Sequence, residues 1–238
     1  MKMKESVTSK TYDLWAWFYD YTFGALVANR QVRAVQQLPL RPGDRVLDLG
    51  VGTGMLLPHY RRDVKIVGID LSAGMLAKAE NRRVAAKMEH VQLVQGDAML
   101  PPFAEQSFDH IIVTHVISVV SDPDRLLNWA SRLLRPGGRI VILNHFQSDI
   151  PIVAWFERVL NPIFVKIGWR SDLALEEVLR GANVNVEYTF KMGVIDLWRI
   201  VVLTHRNAGT QSTHATGDSA PGLARTRLTR NRLAVEGH

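Results

Sequence analysis

The chain of 238 residues contains no cysteine. That absence excludes a disulfide framework, thiolate metal sites and a thiol nucleophile, and it suits a reducing compartment. Long hydrophobic runs are missing as well. No stretch of about 18 apolar residues is free of charge, so a spanning helix is not expected. The opening Met-Lys-Met-Lys-Glu-Ser lacks the uncharged apolar stretch of a signal peptide. No Gly-x-Ser-x-Gly nucleophile turn occurs, and no His/Asp/Glu group has metal-ligand spacing, so no metal is expected.

Acidic residues are the scarcer charge, 23 against 29 Lys and Arg, for a net +6. Half of that excess lies in residues 206–238, where Arg206, Arg225, Arg227, Arg230 and Arg232 face only Asp218 and Glu236. The segment is rich in Ser, Thr, Gly and Ala, shows no apolar periodicity, and reads as a disordered basic tail. The body that remains, at about +3, makes no strong case for nucleic acid as a partner.

What is present is ordinary globular composition, 47% hydrophobic and 22% charged, and a length that suits one sizeable α/β domain. From residue 45 the pattern alternates. Short apolar runs at 45–50, 65–70, 91–97, 108–115 and 139–145 read as strands, with helical candidates at 72–89 and 122–134. Asp122 followed by Pro123 fits an N-cap with proline at the first helical position. Near-continuous apolar strands separated by helices predict a parallel sheet covered on both faces. After 180 the rhythm changes to two adjacent strands, 184–192 and 197–204, joined by a tight turn at Gly193. Such a hairpin suits a parallel sheet if one of its strands runs antiparallel.

Two segments stand outside that rhythm. Residues 11–23 hold seven of the chain's 19 aromatic side chains, and residues 150–169 form an apolar insert charged only at Glu157, Arg158 and Lys166.

The first strand ends in Asp48-Leu49-Gly50-Val51-Gly52-Thr53-Gly54. Glycines there allow a tight turn and remove side chains that would keep a ligand away. The loop is expected to open a helix, whose N-terminus offers free N–H groups to a carboxylate or phosphate. Asp70 ends the second strand, where a carboxylate can accept both hydroxyls of a ribose, or can instead cap the next helix. Asp97 ends the third strand beside the same crevice and can accept an adenine amino group, with Met75 and Met99 placed to sandwich the ring. The dinucleotide fingerprint spaces its glycines G-x-G-x-x-G, whereas this loop reads G-x-G-x-G and has Met55 at the later position. Leu133-Leu134-Arg135-Pro136-Gly137-Gly138-Arg139 reads by itself as a helix end with a glycine cap.

As an ordered set, D-L-G-V-G-T-G, G-I-D-L-S, G-D-A-M-L-P, F-D-H-I-I-V-T-H and L-L-R-P-G-G resemble the motifs of class I S-adenosylmethionine (AdoMet)-dependent methyltransferases, over about residues 45–145. One small departure is Pro101-Pro102, where a single proline is commoner. The resemblance implies AdoMet as cofactor and S-adenosylhomocysteine as product. It implies an α/β, Rossmann-like, seven-stranded, mostly parallel sheet whose last strand is antiparallel. Asp48, Gly50, Gly52 and Gly54 would hold the methionine part, Asp70 with Leu71 the ribose, and Asp97 with Ala98 and Met99 the adenine. Met75 and Thr114 would complete the cofactor set.

The acceptor is read from the unusual segments. On a helix, Trp15, Phe18, Thr22 and Leu26 share one face, and Leu14, Trp17 and Tyr21 another. That fits a lid over the cofactor or an interfacial helix with Lys2, Lys4 and Lys10 near anionic headgroups. The first segment, together with T-H-V-I-S-V-V-S-D-P at 114–123 and I-L-N-H-F at 142–146, resembles bacterial soluble-type phosphatidylethanolamine N-methyltransferases from about residue 8 to 205. Successive methylation of the lipid amine to phosphatidylcholine is what that resemblance implies. A monomer in the cytoplasm, held peripherally on the anionic inner face of the membrane, is the matching expectation.

Candidate acceptor-side residues are Tyr19, His115, Asn144 and Tyr188, with His145 and Arg199 beside them and Arg199 aimed at a lipid phosphate. The domain expectation is residues 1–38 as amphipathic helices, 39–205 as the cofactor domain with an insert at 150–180, and 206–238 as the tail. Two other readings stay open. One is a methyltransferase for a quinone or other small amphiphile; the other is a membrane-surface protein that keeps the fold without catalysis.

Overall fold

The structure, a computed structural model, describes residues 24–146, 159, 173–193 and 198–206. The aromatic segment 11–23 with Tyr19, nearly all of the 150–169 insert, residues 194–197 and the segment beyond Arg206 lie outside the described residues. Those described belong to one compact unit, Met1–Arg206.

Seven strands form one sheet in the order β3-β2-β1-β4-β5-β7-β6. They are β1 (Arg45–Leu49), β2 (Lys65–Asp70), β3 (Val91–Gln95), β4 (Phe108–Thr114), β5 (Leu134–His145), β6 (Val184–Phe190) and β7 (Trp198–His205). β1 to β5 are mutually parallel, and β7 runs antiparallel to both β5 and β6. The closing pair is therefore the hairpin expected from the sequence, with its last strand reversed.

Side chains alternate across each strand, so each strand feeds two cores. Leu47, Leu49, Val67, Ile69, Ile111, Val113, Ile140 and Ile142 face one side. There they meet α3 (Pro123–Leu133) through Leu126, Leu127, Ala130 and Leu133, and α4 (Leu175–Leu179) through Leu175 and Val178. Val46, Ile66, Ile112, Val141, Leu143 and Val202 face the other side. That side is covered by α1 (Gly24–Val35) through Ala34 and Val35 and by α2 (Ala73–Ala85) through Ala79. Truncating one of the fully buried isoleucines to alanine costs roughly 2–5 kcal/mol in such a core.

The helix signals behave as their chemistry requires. Asp122 caps α3 by accepting the Arg125 N–H at 3.0 Å, with Pro123 in the first turn. Ser72 caps α2 by accepting the Met75 N–H at 3.2 Å. Ser72, not Asp70, is therefore the N-cap.

Two local expectations need correction. The glycine loop opens no α-helix; it leads through turns to a single 3-10 turn, Leu57–His59. Pro58 removes the N–H that would bond back to Gly54, and β2 begins at Lys65, too soon for a second attempt. No helix N-terminus therefore serves this loop. Second, 133–138 is not a glycine cap. α3 ends at Leu134, which is already extended (φ −74°, ψ 131°) and pairs with Phe108 as the start of β5. The next matched pair is His110 with Arg139, so residues 135–138 bulge out between the two pairs. Gly138 allows this, because a Cβ there would lie 2.2 Å from the Asp109 carbonyl oxygen.

Candidate active site

Strand order reverses between β1 and β4, and in an open α/β sheet a ligand crevice opens beyond the carboxyl ends at such a point. The residues that follow β1, β2 and β4 all meet here. Each loop glycine has a different task. Gly50 (φ +85°) would drive a Cβ to 2.2 Å from Val116 Cγ2, so it lets the loop pack on the segment after β4. Gly54 (φ +75°) lies against α2, where a Cβ would meet Ala79 Cβ at 3.0 Å and Leu57 Cδ1 at 2.8 Å. Gly52 (φ +55°) alone has open space where its side chain would be. It is the position at which a ligand can approach the backbone.

Asp70 holds that loop in place. Its Oδ2 accepts the Gly52 N–H at 2.8 Å and its Oδ1 accepts the Ser72 N–H at 2.9 Å. Burial pushes the pKa of this carboxyl above its ordinary value, and the N–H groups of Ser72, Gly52 and Leu71 oppose that rise. Two carboxylate oxygens offer about four lone pairs, so bonds to loop amides leave capacity for a ribose diol. Leu71 is 56% exposed immediately beside it. Met75, by contrast, is buried on α2, while Ala98 and Met99 are half-buried in the loop after β3. Asp97 closes that loop by accepting the Met99 N–H at 2.8 Å, and the Met99 sulfur meets Ser121 Oγ at 3.6 Å.

Asp48 is the most deeply placed acid. It is 1% exposed, and its Oδ2 accepts the Tyr60 hydroxyl proton at 3.0 Å. Its Oδ1 is buried with no partner. Burial, with the Asp70 charge adding to it, pushes this carboxyl up to about 7 against the pull of the Tyr60 hydrogen bond.

The acceptor end lies past β4 and β5. Thr114 is buried, and His115 follows it with φ +60°, a left-handed conformation that costs a non-glycine residue of order 1 kcal/mol or more. The His115 Nε2 is enclosed and unpartnered. Burial, reinforced by the charge of Arg30, lowers this imidazole to about 4, so it is neutral at physiological pH. His145 is likewise held down to about 4 by burial and by Lys191. Asn144 is fully buried. Its Nδ2 donates to the His145 carbonyl at 2.7 Å, and its Oδ1 accepts from Ser118 Oγ at 3.4 Å. It braces the segment after β4 instead of reaching into the crevice.

Tyr188 is not part of this end. Its rung runs through Val202, Val141 and Ile112 to Asp48, so it sits on the edge strand four strand spacings from β1, about 19 Å away. Its hydroxyl donates to Gln37 Oε1 at 3.1 Å and its ring stacks on Phe190. The hairpin strand that does reach the crevice is β7. There Trp198 pairs with His145 and Arg199 with Asn144. The Arg30 guanidinium of α1 lies 4.7 Å from the centre of the Trp198 ring. Arg30, Trp198 and Tyr60 stand in none of the sequence motifs, and Ser118 is not distinguished within T-H-V-I-S-V-V-S-D-P. The one available signal was that Gly24, the first residue of α1, directly follows the aromatic segment in the sequence.

Comparison with known proteins agrees with this geometry. A family profile described as a methyltransferase domain matches residues 47–142. A phosphatidylethanolamine N-methyltransferase of Cereibacter sphaeroides is 36% identical over 185 residues, 77% of this chain and 90% of that protein. The chain belongs to the class I AdoMet-dependent methyltransferases. Among these, a demethylmenaquinone methyltransferase of Thermobifida fusca (strain YX) is 33% identical over 158 residues, 66% of this chain and 63% of that protein. The fold is shared with phosphoethanolamine N-methyltransferase 2 of Haemonchus contortus, solved with AdoMet bound. Its TM-score is 0.62 at 19% identity, over 75% of this chain and 53% of that one.

The site fits the cofactor of this family. The open face of Gly52 is a cradle that any Cβ would obstruct, and Asp48 Oδ1 is a buried acceptor lacking a donor, as an α-ammonium would supply. Bound AdoMet supplies an electrophilic methyl group on a sulfonium. The chain's own contribution is to place the nucleophile in line with that methyl and to keep water out.

Proposed function

We propose that this methyltransferase acts on a phospholipid amine, converting phosphatidylethanolamine through its monomethyl and dimethyl forms to phosphatidylcholine. The observation that carries this reading is the charge at the acceptor end. The positive charge of Arg30 acts on His115 and that of Lys191 on His145, so the neutral histidines lie in a field of positive charge. An acceptor bearing a phosphate beside its amine meets that arrangement. The match to the Cereibacter sphaeroides enzyme, longer than that to the quinone enzyme, supports the same acceptor.

In each transfer the amine lone pair forms the N–C bond as the C–S bond breaks, and the thioether leaves as S-adenosylhomocysteine. An ammonium has no lone pair, and its ordinary pKa is near ~10, so it must give up a proton first. An imidazole at about 4 holds a proton too weakly to be the resting base for that group. His115 therefore orients the amine through Nε2, and desolvation in the apolar site favours the neutral amine. Tyr19 belongs to the same reading, with its ring toward the cationic centres and its hydroxyl on the amine. The enzyme would act as a monomer on the cytoplasmic membrane face, with the aromatic segment 11–23 and the 150–169 insert in contact with lipid.

The second reading, methylation of a quinone ring, is favoured by the 33% identity to demethylmenaquinone methyltransferase. Such an acceptor carries no phosphate to meet the positive charge around the histidines. Transfer of label from AdoMet into vesicle lipid or into quinone decides between them.

A further inference from the structure

Asp48 and Tyr60 form a buried pair that the transfer chemistry does not use. Tyr60 is 5% exposed and comes from the turn before β2; Asp48 is 1% exposed and comes from the end of β1. The Tyr60 hydroxyl holds Asp48 Oδ2 at 3.0 Å, while Asp48 Oδ1 has no protein partner. A buried carboxylate oxygen left without a donor is costly unless a ligand or a proton satisfies it. One phenol on one oxygen also fixes the rotation of the carboxyl, so the direction of the vacant oxygen is set before any ligand arrives.

We infer that Tyr60 is a positioning residue that aims Asp48 Oδ1 at the cofactor's α-ammonium, and that cofactor binding drives a proton off Asp48. This rests on the AdoMet site and not on the identity of the acceptor. With no cofactor bound, the carboxyl is satisfied by its own proton; with the ammonium in place, the ionised form is satisfied by the ligand. Release of the proton balances the exchange: the Asp48 O–H bond is lost, an ammonium–carboxylate hydrogen bond is gained, and the proton goes to buffer.

The surroundings support the scheme. Asp48 pairs across the sheet with Gly68 on β2 and Ile112 on β4, neither of which titrates. The titratable groups that face it are the Tyr60 hydroxyl and the Asp70 carboxylate at the end of β2, whose charge disfavours ionisation of Asp48. Arg82 of α2 donates to the Thr53 carbonyl at 2.7 Å. Burial holds Asp48 at about 7, within reach of physiological pH.

The test is calorimetric titration of the full chain with S-adenosylhomocysteine, whose α-ammonium stays protonated across pH 6–8, in buffers of differing ionisation enthalpy. Wild type should release about half a proton per site near pH 7, and its affinity should fall nearly tenfold per pH unit below that. Tyr60→Phe should bind about tenfold more weakly at pH 7 and recover toward wild-type affinity by pH 9, because losing the phenol raises Asp48 further. Asp48→Asn should bind weakly with no proton release. Proton release that persists in Asp48→Asn would assign it to Asp70 and overturn the inference. So would a Tyr60→Phe loss that is the same at every pH, which is the mark of a purely structural role. Failure of every form, wild type included, to bind the cofactor product would instead strike the AdoMet site itself.

Discussion

Asp70 Oδ2 accepts the backbone N–H of Gly52 at 2.8 Å, so the acid that ends β2 also sets the shape of the loop that ends β1. If Asp70 also accepts the ribose hydroxyls, as proposed, one carboxylate serves both cofactor recognition and loop geometry. Asp70→Asn keeps the size of the side chain but exchanges an acceptor for a donor beside loop amides. It should weaken cofactor binding about 10- to 100-fold, equivalent to roughly 1.4–2.8 kcal/mol. Titration with S-adenosylhomocysteine measures this, and unchanged affinity would remove Asp70 from the site.

The three loop glycines separate stability from binding. Gly54→Ala puts a Cβ 3.0 Å from Ala79 at a left-handed φ, so it should lower the melting temperature sharply. Gly52→Ala meets nothing of the protein within 4 Å. It should cost about 1 kcal/mol of backbone strain and yet reduce cofactor affinity at least tenfold. Thermal melts with and without cofactor distinguish the two. Equal destabilisation by both variants would contradict the assignment of the open face to the ligand.

His115 and His145 predict an acid limb in stability. Each folded-state value, about 4, lies below the ordinary histidine value of 6.5. The stabilisation from keeping them neutral is therefore complete above about 6.5 and is lost as pH falls toward 4. The limit is about 3 kcal/mol for each fully buried ring. His115→Gln should flatten part of that limb in urea melts between pH 4 and 7. The same variant should lower kcat at pH 8 at least tenfold, and wild-type kcat should show no inflection near 6.5 from this group.

Arg30 should matter to the acceptor more than to the methyl donor. Arg30→Gln is expected to raise KM for a phospholipid amine about tenfold or more, with cofactor affinity unchanged. Removing a cation from a phosphate contact also reduces the salt dependence of KM. A variant that loses cofactor affinity instead would place Arg30 on the other side of the crevice.

Much of this was legible in the sequence because it depends on local chemistry. The alternating apolar strands, the Asp122-Pro123 helix start and the left-handed glycines of the loop follow from backbone preferences that each residue carries with it. The reversed last strand was open to the same reading, since a hairpin closing a parallel sheet demands it. Other features depend on contacts between distant residues and leave no spacing behind. Tyr60 meets Asp48 only because the loop after β1 turns back over the strand, and Arg30 meets Trp198 across most of the chain. Tyr188 went the other way: its place in the closing hairpin suggested the crevice, but β7 lies between β6 and β5 and carries Trp198 and Arg199 there instead. The helix expected after the glycine loop failed at Pro58, a residue whose effect is visible in sequence but was outweighed by the strength of the glycine pattern.

The central claim is most directly tested by incubating the full chain with methyl-labelled AdoMet and two vesicle preparations, one of phosphatidylethanolamine with anionic lipid and one of anionic lipid carrying a demethylated quinone. The account predicts label in monomethyl, dimethyl and finally trimethyl lipid amine in the first, and none in the quinone of the second. Label in the quinone with none in any phospholipid would contradict it.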